Sequence, residues 1–196
     1  MLLGYNCDLT TQTELLFSII SKSPALFSVF EGAQELGLGE YYIGGGCLCQ
    51  TVWNYQNGFD PLHGVSDIDL AYFDADTSAD KEDRTAQTVR EHFPKLTLRI
   101  DIKNQARVHL WYKRSFGYEI QPYRSLEDAV STWPTTASAV GARMEAEQLI
   151  VCAPFGLNDL FGQTVRANKT QITPEIYRKK CEKWCAQWST LRVIPW

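Results

Sequence analysis

Tyr41-Tyr42-Ile43-Gly44-Gly45-Gly46-Cys47-Leu48-Cys49-Gln50-Thr51-Val52-Trp53-Asn54-Tyr55 changes its hydrophobic period at the three glycines. Before them, Tyr41 to Ile43 is a short β-type run. After them, Leu48, Thr51, Val52 and Tyr55 fall on one helical face. The spacing predicts a strand, a glycine turn and a helix. At such a junction the missing side chains let backbone N–H groups and the helix N-terminus approach an anion such as phosphate, although a turn chosen for packing would use the same glycines. Neither Gly-x4-Gly-Lys-Ser/Thr nor Gly-x-Gly-x-x-Gly is present, so P-loop and Rossmann readings fail.

Downstream, Ser66 to Phe73 alternates Asp67, Asp69 and Ala71 with Ile68, Leu70 and Tyr72. A strand with this pattern has one polar face, and its period of two puts both carboxylates on that face, ~6 to 7 Å apart. Acids this close raise each other's pKa unless a cation or hydrogen-bond donors are present. A solvated edge strand could carry the same pair. Leu96 to Ile102 alternates again, with Leu96, Leu98, Ile100 and Ile102 on one side and Asp101 on the other. If this second strand runs beside the first, three carboxylates converge. Such a set of hard oxygen donors suits Mg²⁺ (or Mn²⁺), which completes its shell with water and phosphate oxygens. With a nucleoside triphosphate across the glycines, Asp101 could take the proton of an attacking hydroxyl while pyrophosphate leaves.

Around this centre the chain reads as alternating helices and strands. Thr11 to Ser21 and a second helix opened by Pro24 and closing near Gly37 predict a helical hairpin acting as a lid or brace. Gln56 to Gly64 is turn-rich, and Ser78 to Phe93 predicts a charged surface helix. Asn104 to Tyr112 fits a strand or a helix, with helix preferred. Ser125 caps a helix that ends before Pro134, residues 140–145 and 148–153 suggest a hairpin, and Pro174 opens a helix striped with Tyr177, Cys181, Trp184, Cys185 and Trp188.

The 196 residues are 44% hydrophobic, 12% aromatic and 21% charged, as in a folded water-soluble chain. Against 23 Asp+Glu, 19 Lys+Arg leave a net charge of -4, which argues against a broad basic surface for bulk nucleic acid. The N-terminal stretch lacks a basic n-region and a small-residue cleavage site, and no apolar run approaches the ~20 residues of a membrane span. A cytoplasmic protein with no membrane partner is expected. Six cysteines, five of them in apolar segments, are expected to be reduced, and their spacings do not suit zinc.

Beyond these readings, the chain resembles a known family. Ile43-Gly44-Gly45-Gly46, a helix, Asp67-Ile68-Asp69-Leu70 and then a strand acid form the pattern of the polymerase-beta-type nucleotidyltransferase superfamily. The blocks Gly45 to Asn54, Ser66 to Asp74, Lys103 to Tyr112, Trp133 to Gly141 and Ala153 to Phe161, with the terminal Val193-Ile194-Pro195-Trp196, are similar to the bacterial nucleotidyltransferase-like family. The resemblance implies an α+β fold: a nucleotidyltransferase-type short mixed β-sheet flanked by helices, with an N-terminal helical hairpin and a C-terminal helix. It implies one domain over residues 1–196, divided into a hairpin (1–40), a metal and nucleotide core (41–120) and a family-specific C-terminal part (121–196). It further implies Asp67, Asp69 and Asp101 as catalytic metal ligands and Gly44, Gly45, Gly46 and Ser66 beside the nucleotide. Here Gln56 to Gly64 makes the connection from glycine turn to acid pair longer than is usual in the superfamily.

Lys103, Asn104, Gln105, Arg107 and His109 are candidates to support the site or touch substrate, with surface charge or, for His109, a hydrogen-bonded core position as the plainer reading. Trp53, Trp111 and Trp133 read as core. The expected activity is Mg²⁺-dependent transfer of a nucleoside monophosphate to a hydroxyl of a small molecule or protein. The alternative is a non-catalytic nucleotide sensor that retains the site. The base, the acceptor and the oligomeric state are left unspecified.

Overall fold

In the computed structural model, which describes residues 2–196, the predicted elements appear in order. Helix α1 (Leu9–Ile20) starts at Asp8, whose carboxylate accepts from the Thr11 N–H at 3.0 Å. Pro24 fixes the first turn of α2 (Pro24–Gly32), which continues as a 3-10 turn to Leu36. Strand β1 (Glu40–Gly44), helix α3 (Gly46–Asn57), strand β2 (Asp67–Phe73) and helix α4 (Ala79–His92) follow. The hairpin makes a 109° bend, and among the described residues no single helix is long and apolar enough to cross a membrane.

Strand β3 (Arg99–Asn104) starts later than the alternation predicts. Its first residue pairs with Asp67, the first residue of β2, so Leu96 and Leu98 have no strand to pair with and pack on the core as loop residues. A 3-10 turn then leads into α5 (Val108–Phe116), so the ambiguous segment is helical. Helix α6 (Leu126–Val130) is capped by the Ser125 side chain, and β4 (Gly141–Glu145) and β5 (Gln148–Cys152) form the hairpin. The short α7 (Asn158–Phe161) precedes α8 (Pro174–Cys185), which Thr173 caps. A two-residue pair, β6 (Thr164–Val165) with β7 (Arg192–Val193), closes the C-terminus. Neither α7 nor this pair is long enough to show a period in the sequence.

The five-stranded sheet has the order β3-β2-β1-β4-β5, parallel only between β2 and β3. This mixed sheet with flanking helices is the α+β architecture expected. One face carries Ile43, Ile68, Leu70, Tyr72 and Ile102 into the main core with residues of α1, α2, α3, α4 and α8. Trp53 of α3 meets Trp184 and Trp188 edge-on at 5.1 and 5.6 Å, which locks α8 onto α3. The other face carries Tyr42 and Ala71, covered by Leu126 and Val130 of α6. Coverage of that second face is short, and the site lies beyond its end.

Candidate functional site

Strand parity places the acids. On β2, Asp67 and Asp69 share a face with Ala71, opposite to the core-facing Ile68 and Leu70. In the parallel pairing Asp69 lies opposite Asp101, and on its other side it lies opposite Gly44 of β1. Gly44, Asp69 and Asp101 therefore form a row across three strands, neighbours ~4.8 Å apart. The same parity turns Lys103 toward this face and Asn104 away from it.

The three glycines have different reasons to be glycine. A Cβ on Gly44 would lie 2.4 Å from the Val140 carbonyl oxygen and 2.8 Å from the Trp133 ring, so packing between β1 and β4 demands it. Gly45 has φ 70° and ψ -131°, a conformation closed to other residues, and a Cβ there would lie 3.1 Å from Asp69 Oδ2. Gly46 is the first residue of α3, and no side chain caps that helix. Its first-turn N–H groups, which have no partner within the helix, face a cavity of about 250 Å³ lined by Gly45, Gly46, Asp69, Asp101, Lys103, Gln105, Trp133, Ser138 and Lys180.

Electrostatics at this cavity are unbalanced around Asp69. Burial, and then the charges of Asp67 and Asp101, push its carboxyl up to about 6. The flanking acids are turned to the chain's own cations. Arg99 donates to Asp67 Oδ2 at 3.0 Å and lies 4.0 Å from Asp101 Oδ2, and Lys103 Nζ donates to Asp101 Oδ1 at 2.9 Å. Among the described residues, no group of three or more His, Cys, Asp and Glu side chains converges as a ready metal cage. Asp69 and Asp101 line the cavity and Asp67 stands beside it on the same face of the sheet, a row of carboxylate oxygens with the chemistry of a hard divalent cation. Arg99 is exposed, so its pairs with the acids are screened by solvent.

Not every sequence candidate reaches this place. Ser66 is exposed and donates to Asp67 Oδ1 at 3.0 Å. Asn104 is buried as a clamp: it accepts from the N–H groups of Asp74 (3.0 Å) and Ala106 (3.1 Å) and donates to the carbonyls of Asp74 (2.9 Å) and Asp76 (3.2 Å). Arg107 donates to the Thr77 carbonyl at 2.8 Å and pairs with Glu82. Asn104 ties the loop after β2 to the end of β3, and Arg107 ties it to α4, both outside the cavity. His109 also lies outside it, with Nδ1 buried and without a hydrogen-bond partner.

The helical hairpin contributes no residue to the cavity and braces the opposite face of the sheet, so of lid or brace it is the brace. Trp53 is core, but Trp133 is not: it follows α6 and lies over the glycine turn, lining the main cavity. A second, mostly apolar cavity of about 210 Å³ shares Lys103, Gln105, Trp133 and Pro134 with the first and reaches Trp111 and Tyr112. All six cysteines are free thiols, and burial pushes Cys49 up to about 12.

Lys180 was missed by the sequence reading, yet a signal was present. It lies between Tyr177 and Trp184 at helical spacing, a charged residue within the docked stripe of α8. Burial holds its ammonium below the usual lysine range.

The comparisons with known proteins agree with the fold. A family model described as nucleotidyltransferase matches residues 31–193, most of the chain. A solved NMR structure, described as revealing a CCA-adding enzyme head domain, is similar at 25% identity with a TM-score of 0.77, covering 93% of this chain and 96% of that one. No curated protein matches the chain.

Proposed function

The chain belongs to the nucleotidyltransferase family, and from that premise we propose that it is an Mg²⁺-dependent enzyme transferring a nucleoside monophosphate from a nucleoside triphosphate to a hydroxyl group. One observation carries the reading: Asp69 and Asp101 are opposed in register, with Asp67 two residues along the same face, beside an uncapped helix N-terminus. Asp67, Asp69 and Asp101 would hold Mg²⁺ (or Mn²⁺), which supplies neutralisation of phosphate charge and a lowered pKa for the acceptor hydroxyl.

The remaining work falls to the chain's own groups. Gly45 and Gly46 let the triphosphate come against the backbone, where the first-turn N–H groups of α3 donate to phosphate oxygens. Lys103 holds Asp101 by its hydrogen bond, which keeps that carboxylate aimed along the cavity wall. Asp101 accepts the proton of the attacking hydroxyl, and the new O–P bond forms as the bond to pyrophosphate breaks. Trp133 and Pro134 wall off the reacting phosphorus from bulk water, and the adjoining apolar cavity has room for the nucleoside or the acceptor. With a net charge of -4, a small molecule or a protein suits the acceptor role better than bulk nucleic acid.

A second reading, a nucleotide sensor without turnover, is favoured by Arg99 and Lys103, which already neutralise Asp67 and Asp101. Incubation with γ-labelled triphosphates, Mg²⁺ and a panel of hydroxyl acceptors separates the two. Metal-dependent pyrophosphate release, absent in Asp101→Asn, is expected of the enzyme. Binding without release across the panel would replace the transferase with the sensor.

A further inference from the structure

Three cationic side chains stand at or beside the cavity, and they are not equivalent. Arg99 and Lys103 have carboxylate partners at 3.0 and 2.9 Å. Lys180, among the described residues, has neither an ion-pair partner within 4.0 Å nor a hydrogen bond, although it lines the same cavity as Gly45, Gly46 and Asp69. Its ammonium lies 4.4 Å over the ring of Trp184, one turn along α8. That ring is fixed in turn by its edge-on contact with Trp53 of α3. The Gln50 amide, oriented to satisfy both of its ends, accepts from Trp184 Nε1 at 3.2 Å and donates to the Gly64 carbonyl at 3.1 Å. The position of Lys180 beside the first turn of α3 is therefore set by the Trp53–Trp184 contact that docks α8.

A half-buried ammonium whose neighbouring carboxylate, Asp69, lies beyond ion-pair distance is costly to fold around. The cost is offset when an anion arrives. The free N–H groups of α3 face the same space from the other side, so the anion expected is multiply charged and oxygen-rich. Asp69 and Asp101 line the cavity together with Gly45, Gly46 and Lys180, so an anion against the glycines lies within reach of both the acids' metal and the ammonium. We infer that Lys180 binds the β- and γ-phosphates of the triphosphate and carries the charge of the departing pyrophosphate. The inference rests on the nucleotidyltransferase reading of the acids and adds a role for the C-terminal helix.

In the transfer step the hydroxyl oxygen bonds to the α-phosphorus, its proton passes to Asp101, and the α–β bridging bond breaks with its electron pair on pyrophosphate. Lys180 acts on that last charge. It should therefore distinguish a triphosphate from a monophosphate, which has no β- or γ-phosphate to meet.

The test is calorimetric binding of a non-hydrolysable triphosphate, the matching monophosphate and inorganic tripolyphosphate, each with Mg²⁺, to the wild type, Lys180→Gln and Lys180→Arg. Lys180→Gln should weaken triphosphate and tripolyphosphate binding about tenfold or more, the scale of a lost charge-assisted hydrogen bond, and leave the monophosphate within about twofold. Lys180→Arg should restore much of the loss. Mn²⁺ binding alone, followed by electron paramagnetic resonance, should stay within about twofold in Lys180→Gln, because the residue is not a metal ligand. An unchanged ratio of triphosphate to monophosphate affinity in Lys180→Gln overturns the role of Lys180 while leaving the acid site intact. A wild type that binds none of the phosphates with Mg²⁺ overturns the underlying reading as well. If Lys180→Gln folds poorly, Lys180→Met gives the same comparison with an apolar stem of similar length.

Discussion

Replacing Asp69 by asparagine should stabilise the metal-free protein at neutral pH. Burial and the neighbouring Asp67 and Asp101 raise the Asp69 carboxyl from its ordinary 3.8 to about 6. Ionising it in the folded state therefore costs roughly 2 pKa units, or up to about 3 kcal/mol. Asparagine has the shape of the protonated acid and carries no charge, so it removes that cost. The sign follows from proton binding. Between the two values the folded protein holds more protons than the unfolded chain, so stability falls as pH climbs from about 4 to about 6, and the loss is complete above that. The gain from Asp69→Asn should then be near zero at about pH 4 and approach its full size at about pH 7.5, equivalent to roughly 5–10 °C in Tm for a chain of this length. Differential scanning calorimetry in EDTA at both pH values measures it. Added Mg²⁺ should raise the wild-type Tm at neutral pH and leave Asp69→Asn almost unmoved. A lower Tm for Asp69→Asn at neutral pH, or the same gain at both pH values, would refute the reasoning.

Gly45→Ala forces a Cβ to 3.1 Å from Asp69 Oδ2 at a backbone angle closed to alanine, so urea denaturation should show a loss of about 1–3 kcal/mol. Asn104→Ala removes a buried amide with four hydrogen bonds and should cost about 2–4 kcal/mol, while Mn²⁺ affinity of the folded protein stays unchanged. Arg99→Gln frees Asp67 from its exposed counter-ion, and Mn²⁺ titration should give tighter binding by up to about fivefold. A weaker Mn²⁺ affinity in that variant would make Arg99 a positioning residue for the acids.

The acid pair was legible because period-two alternation is a local property: Asp67, Asp69 and Ala71 share a face whatever the strand pairs with. The convergence of Asp101 was legible only in part. Its face follows from alternation, but its register opposite Asp69 depends on which strand lies beside which, and that is a long-range choice. The same choice explains the boundary at Arg99, since alternation at Leu96 and Leu98 continues past the end of the partner strand. Among the candidates of the third block, parity alone separates Lys103, which faces the cavity, from Asn104, whose polarity serves a loop clamp. Lys180 was hidden by its surroundings. An apolar stripe of Tyr177, Cys181 and Trp184 reads as a docking face, and only the packing of α8 over the glycine turn reveals that one member of that face is an unpaired cation.

The central claim is that the carboxylates on β2 and β3 hold a divalent metal together with a nucleoside triphosphate. Calorimetric titration of Mg²⁺ with a non-hydrolysable triphosphate into the wild type and the Asp67→Ala/Asp69→Ala double variant tests it most directly. The account predicts saturable, Mg²⁺-dependent binding to the wild type that the double variant loses, and equal affinity in the two proteins would contradict it.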